Sequence, residues 1–249
     1  MAVGLSGAEM LGALEREAAR IAEVVTAEGL AEPVPRLGRW KVRDVVAHLG
    51  GVHEWAARIV RDRSRDGPGF RKSKLDGDEL LTWFADGAAD LITVLGDADL
   101  DDPCPNFNPG SEPTVGWWLR RQLHETAVHR WDIERALDAL SSIEPDQALD
   151  AVGEFLDVYV RTRGKHVLDA PLVIESTEPA AQWLLTPAKK PGRIDVETLD
   201  GHEANADSSV VGPPEGLLLA LWGRLTVAEA GLALTGDANV TSLLQIDSG

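Results

Sequence analysis

The stretch from Thr114 to Leu140, TVGWWLRRQLHETAVHRWDIERALDAL, constrains the fold of this chain more than any other. Its periodicity is helical. At about 100° per residue Glu125, His129 and Asp132 fall nearly one above another, and Trp118, Gln122, Ile133, Ala136 and Leu140 extend the same stripe. The face that should be apolar therefore carries two carboxylates and an imidazole among greasy neighbours. Burying such groups costs on the order of several kcal/mol unless something compensates, and a bound cation is one compensation. Hydrogen bonding within the core is the other.

The string HETAVH resembles the zinc-protease pattern HExxH but is one residue longer. That chemistry needs two histidines four apart on one helical face. His124 and His129 are five apart, about 140° round the helix, so they cannot share an ion. Glu125 and His129 are four apart and can. Two ligands are too few for a tight site, so a third must come from elsewhere in the chain. His48 is the candidate, because it lies three after Val45 and four before Val52 on the inward stripe of an earlier helix. Two histidines and a carboxylate suit a borderline divalent ion, zinc before nickel or iron, and leave coordination positions open as catalytic sites do. Asp132, one turn beyond His129, would orient a metal-bound water or a ligand, or act as a base.

Five helices are predicted before residue 165: Gly7 to Glu28, Lys41 to Arg63, Glu79 to Leu95, Thr114 to Leu140, and Pro145 to Arg163. Each carries an apolar stripe at helical spacing. The polar stretch RDRSRDGPGFRKSKLDGD, after the helix bearing His48, reads as a solvated loop or as a lid contributing positive charge. After Gly164 the pattern changes. PLVIEST, QWLLTP, GRIDVETL, ADSSVVG and LALT read as strands bounded by Pro, Gly and Asp. LLLALWGRL reads as a buried helix with Pro214 near its start, and Asp237 is placed to cap a last one. The predicted organisation is α+β in two domains: an antiparallel helical bundle over residues 1–165 and a small α+β domain over 166–249.

A formal charge of −17 argues against nonspecific binding to nucleic acid or anionic membrane. An anionic substrate would need a locally basic pocket. No apolar run reaches the roughly 20 residues of a membrane span, and no signal peptide is evident. The single cysteine, Cys104, lies in a Pro/Asn/Gly loop without basic neighbours. It fits a reducing cytoplasm and reads as a loop thiol rather than a nucleophile.

Three segments together resemble a known family: WKVRDVVAHLGGVHEWA (40–56), RRQLHETAVHRWD (120–132), and GPPEGLLLALWGR (212–224) with TGD after it. In this order they are similar to the mycothiol-dependent maleylpyruvate isomerases, and they span nearly the whole chain. The resemblance implies a DinB-like four-helix bundle carrying the metal and a domain similar to sterol carrier proteins behind it. It assigns His48, Glu125 and His129 as metal ligands, Asp132 as the acidic residue after them, and Arg224 as the arginine that holds the substrate's carboxylate. Trp131 departs from the smaller apolar residue usual there. The implied activity is metal-dependent, with mycothiol as thiol co-substrate, in cis–trans isomerisation of a maleylpyruvate-like diacid. S-transfer to other electrophiles, or a non-catalytic ligand carrier on the same scaffold, are the alternatives. The implied partners are small molecules only, in a cytoplasmic monomer or weak dimer.

Overall fold

The computed structural model describes residues 4–108, 110–161, 168–189, 193–199, 206 and 208–236. The chain divides into two compact units. One consists of Ser6–Phe107 and Ser111–Ser142, the other chiefly of Ile143–Gly249.

The first unit is built from α1 (Gly7–Val24), α2 (Val42–Asp62), α3 (Gly77–Gly96) and α4 (Val115–Ala136). Side chains fix where each begins. Ser6 Oγ accepts from the Glu9 backbone at 3.3 Å while Glu9 Oε2 accepts from Ser6 N at 2.8 Å, a reciprocal cap. Asp44 reaches back to the Lys41 backbone (3.1 Å), Asp76 caps α3 through Gly77 N (3.0 Å), and Thr114 caps α4 through Trp117 N (3.2 Å). Two predicted ends contract. The first helix stops at Val24, with a separate 3-10 turn at Gly29–Ala31, and α4 stops at Ala136, where Asp138 takes a positive φ of 53°. Helix α1 packs on α3 and α4, and so does α2, which closes a four-helix ring. Ile21, Val45, Leu49, Leu80, Phe84 and Ile133 lie in one continuous core.

Helix α4 is buried on almost its whole circumference although it is not an apolar helix. Arg121, Gln122, His124, Thr126, His129, Arg130, Asp132 and Glu134 are all buried. A helix of this kind is tolerable only when its polar groups are paired. On the side facing α1, Arg130 Nε donates to Glu17 at 2.6 Å and its Nη1 to Glu134 at 2.7 Å. Glu134 also accepts from Arg20 (2.7 Å) and from the Ser141 backbone (2.8 Å). The other polar side forms the site described below.

In the second unit α5 (Pro145–Phe155) begins with proline, where the missing N–H is no loss, and runs into one π turn over Leu156–Val160. It packs on α6 (Pro214–Leu221): Glu215 accepts from Ile143 N at 2.8 Å, and the Phe155 and Trp222 rings meet edge to face at 5.0 Å. The division between compact units falls at residue 143. Periodicity shows that α5 has an apolar face but not which partner covers it.

Among the described residues five strands form one sheet: β1 (Leu172–Thr177), β2 (Ala180–Pro187), β3 (Ile194–Leu199), β4 (Ser208–Gly212) and β5 (Ala233–Thr235). Their order is β3-β2-β1-β4-β5, with β1 and β4 parallel and the other neighbours antiparallel. Ile174 stands opposite Trp183 on one side and Val210 on the other, all three buried on one face. The two-domain α+β fold is as predicted. Asp237 with the helix expected after it, His166 and His202 lie outside the described residues. Among the described residues no helix is long and apolar enough to cross a membrane.

Candidate metal centre

Helices α2 and α4 meet at a cluster of three donor atoms. His48 Nε2 lies 3.1 Å from Glu125 Oε1, and His129 Nε2 lies 3.4 Å from the same oxygen. One atom from each residue lies within 4.8 Å of the others, the spacing of donors around a shared ion. The remaining polar atoms are tied down from behind. Arg121, one turn before Glu125, donates to Glu125 Oε2. Asp132 Oδ2 lies 2.9 Å from His129 Nδ1, so that nitrogen carries the proton and Nε2 is left to face the cluster. The carboxylate behind a histidine is the usual means of fixing tautomer and ring orientation in a metal site.

The charges follow from these contacts. Burial pushes the Glu125 carboxyl upward, but Arg121 and hydrogen bonds from both histidines overcome it, and its pKa is held well below the usual carboxylate range. Burial likewise disfavours a charged His129, and the hydrogen bonds to Asp132 and Glu125 outweigh it, raising its pKa. For His48 burial wins over Glu125 and the pKa falls. Without a cation, protons must fill the gaps between Glu125 Oε1 and the two Nε2 atoms, because three bare electron-rich atoms at these distances repel. A divalent cation can replace those protons, and the donor set fits such an ion on its own chemistry.

The wall around the cluster comes from the chain that leads into α2 and the chain that leaves it. Trp40 packs on both imidazoles, with ring centroids 5.3 Å from His48 and 6.4 Å from His129. Phe70 meets His48 edge-on at 5.0 Å. It can do so because α2 carries glycine at 51: a Cβ there would lie 2.2 Å from the Arg71 carbonyl oxygen.

Comparison with known proteins agrees in both units. Residues 11–134 match the family described as Mycothiol maleylpyruvate isomerase N-terminal domain, and residues 146–243 match the MDMPI C-terminal domain. The chain belongs to the mycothiol-dependent maleylpyruvate isomerase family. Two crystal structures of the mycothiol-dependent maleylpyruvate isomerase, one of them a histidine-to-alanine mutant, share the fold. The mutant superposes with a TM-score of 0.66 at 14% identity, covering 92% of this chain and 93% of that one. The other gives 0.63 at 14% identity, covering 89% and 91%. No match was found among curated proteins.

Of the residues that the maleylpyruvate isomerase resemblance selects, four sit together: His48, Glu125, His129 and Asp132, the last touching His129 rather than the centre of the cluster. Arg224 belongs to the second unit. It is buried at the turn after α6, where its Nη1 donates to the Trp222 carbonyl at 2.8 Å. Cys104 is buried, its Sγ directed at the Ile59 carbonyl (3.7 Å), and burial raises its pKa, which disfavours the thiolate.

His53, five residues after His48, faces another direction round α2. His53 is fully buried, with Nε2 3.0 Å from Thr126 Oγ1. That hydroxyl donates to the Gln122 carbonyl (2.7 Å), so His53 Nε2 is the donor and its Nδ1 is a bare, buried acceptor without a partner among the described residues. Arg121 is buried against Glu125. Trp40, Phe70 and Lys72 give no periodic signal. The pairing of Arg130 with Glu134 was available from their spacing of four.

Proposed function

We propose that this protein is a metal-dependent enzyme that uses a low-molecular-weight thiol, mycothiol, to isomerise a maleylpyruvate-like unsaturated diacid from cis to trans. The observation that carries this reading is the convergence of His48 Nε2 and His129 Nε2 on one oxygen of Glu125, backed by Arg121 and Asp132. The ion is taken to be Zn2+ from the mixed nitrogen and oxygen donors. When bound, a divalent cation supplies Lewis acidity that lowers the pKa of a coordinated thiol and stabilises negative charge developing on the substrate.

The protein's own groups have separate tasks. His48, Glu125 and His129 would be the ligands. Asp132 keeps the proton on His129 Nδ1, and Arg121 keeps Glu125 ionised and aimed. Trp40 and Phe70 cover the imidazoles and limit access of water. Arg224 is the residue assigned by resemblance to the substrate's carboxylate. In the reaction a C–S bond forms at one alkene carbon and the π electrons move onto the conjugated carbonyl as an enolate. The former double bond rotates as a single bond. The electrons then return, the C–S bond breaks, and thiolate and the trans alkene are regenerated with no net consumption of thiol.

The same first step without elimination would make the protein a thiol S-transferase. Purification without chelator, metal analysis, and assay with thiol and a cis-unsaturated diacid test both readings. Isomerisation should proceed with the thiol concentration constant, and His48→Ala should lose metal and activity together. Stoichiometric loss of thiol would instead establish the transferase. Protein that neither carries nor takes up a divalent ion would overturn both.

A further inference from the structure

Lys72 holds its ammonium 3.3 Å from the centroid of the Trp40 ring, the ring that covers His48 and His129. It makes no ion pair and no hydrogen bond among the described residues. That is unusual company for a lysine in a chain with 41 acidic and 24 basic residues. Asp44, the carboxylate that acts on it most strongly, is already engaged: it accepts from Lys41 N at 3.1 Å and lies 3.7 Å from Arg43. An aromatic face attracts an ammonium but leaves it able to donate elsewhere, since only the ring quadrupole and no acceptor is consumed.

The backbone around Lys72 is fixed against α2. Phe70 packs on His48, Ser73 N donates to the Ala47 carbonyl at 3.4 Å, and Arg43 Nη2 donates to the Leu75 carbonyl at 2.9 Å. Gly51 admits the Arg71 carbonyl, as described above. Residues 70–75 are therefore a strap laid along the helix that carries His48, and Lys72 projects from its middle onto Trp40. A solvated loop needs none of these contacts.

We infer that Lys72 is an anion-binding residue of this site, holding a carboxylate of the unsaturated substrate beside the donor cluster, with Trp40 positioning its ammonium. Only the choice of a diacid rests on the function proposed above; the free cation beside the cluster does not. Lysine acts as a point charge on a flexible stem, so it selects for negative charge and tolerates variation in the rest of the molecule. It should discriminate a dianion from its neutral ester and leave metal uptake alone.

Calorimetric titration of the full-length protein, without thiol, with maleate and separately with dimethyl maleate tests this. The proteins are wild type, Lys72→Gln and Lys72→Arg, each with metal content measured. Lys72→Gln should weaken maleate binding by about tenfold, and Lys72→Arg should restore most of it. Ester binding and metal content should be the same in all three. Wild type that does not bind maleate, maleate affinity unchanged in Lys72→Gln, or equal losses for maleate and ester would each overturn the inference. Maleate binding that depends on Lys72 in a protein unable to isomerise would leave the inference standing and remove the proposed reaction.

Discussion

His48 Nε2 and Glu125 Oε1 lie 3.1 Å apart although 77 residues separate them in the chain, and His129 approaches the same oxygen from one turn further along α4. With Asp132 holding the proton on Nδ1, a neutral His129 turns a bare Nε2 toward Glu125 Oε1, a poor arrangement for two electron-rich atoms and a good one for a cation. Replacing either His48 or Glu125 by Ala removes one of three donors. Metal bound per chain should fall from near one to near zero in both variants, by elemental analysis after dialysis. In the wild type, metal at about 100 times its dissociation constant should add about 2.7 kcal/mol to stability. That increment should vanish in His48→Ala.

The raised pKa of His129 has opposite consequences with and without metal. In metal-free protein its contribution to stability is complete below the unfolded value of about 6.5 and is lost as pH rises through the higher folded value. Metal needs Nε2 free of its proton, so affinity climbs over the same interval. The gap in Tm between metal-loaded and metal-free protein should therefore widen as pH rises above about 6.5. Asp132→Asn should weaken metal binding by about 10- to 100-fold and move this window down. A pH-independent gap would contradict the arrangement.

Burial pushes the His53 pKa down to about 3. The folded chain keeps this ring neutral while the unfolded chain protonates it below about 6.5, so folding loses stability as pH falls from there toward the folded value. His53→Gln retains an N–H to offer Thr126 but cannot titrate. Its unfolding free energy, from urea melts at a series of pH values, should fall less steeply on the acid side than that of wild type.

Glu134 is fully buried and binds Arg130, Arg20 and Ser141. Glu134→Ala would leave Arg130 short of a partner inside the α1–α4 interface and should cost about 3–5 kcal/mol in chemical denaturation. Although burial opposes it, these partners depress the Glu134 pKa, so its contribution is present above the unfolded value of about 4.3 and is lost as pH falls through the folded one.

Gly51→Ala sets two effects against each other. Helix propensity favours alanine by about 1 kcal/mol, while the added Cβ would meet the Arg71 carbonyl at 2.2 Å. Backbone cannot swing aside as a side chain can, so the strap should lift while α2 persists. Limited proteolysis should cut between residues 63 and 76 faster in the variant, with far-UV circular dichroism unchanged.

Much of the site was legible because α4 obeys a fixed geometry. Glu125, His129 and Asp132 share a face whatever the rest of the chain does, and HETAVH could be rejected as a protease motif by angle alone. The place of His48 on an inward stripe was legible too. Its meeting with Glu125 was not, since periodicity gives the direction of a side chain within its own helix and nothing about the neighbour. His53 shows the same limit: it points away from the direction of His48, yet a second helix covers it.

Local sequence determined the elements themselves: capped helices with apolar stripes, then short alternating strands, and two carboxylates and a histidine stacked on one helix. Tertiary structure decided which faces meet. It drew α5 to α6, laid residues 70–75 against α2, and gave Lys72 an aromatic ring instead of a carboxylate. Spacing along a helix follows from bond geometry within a few residues. Contacts between distant segments depend on how all the buried surfaces can be covered at once, which no short stretch of sequence encodes.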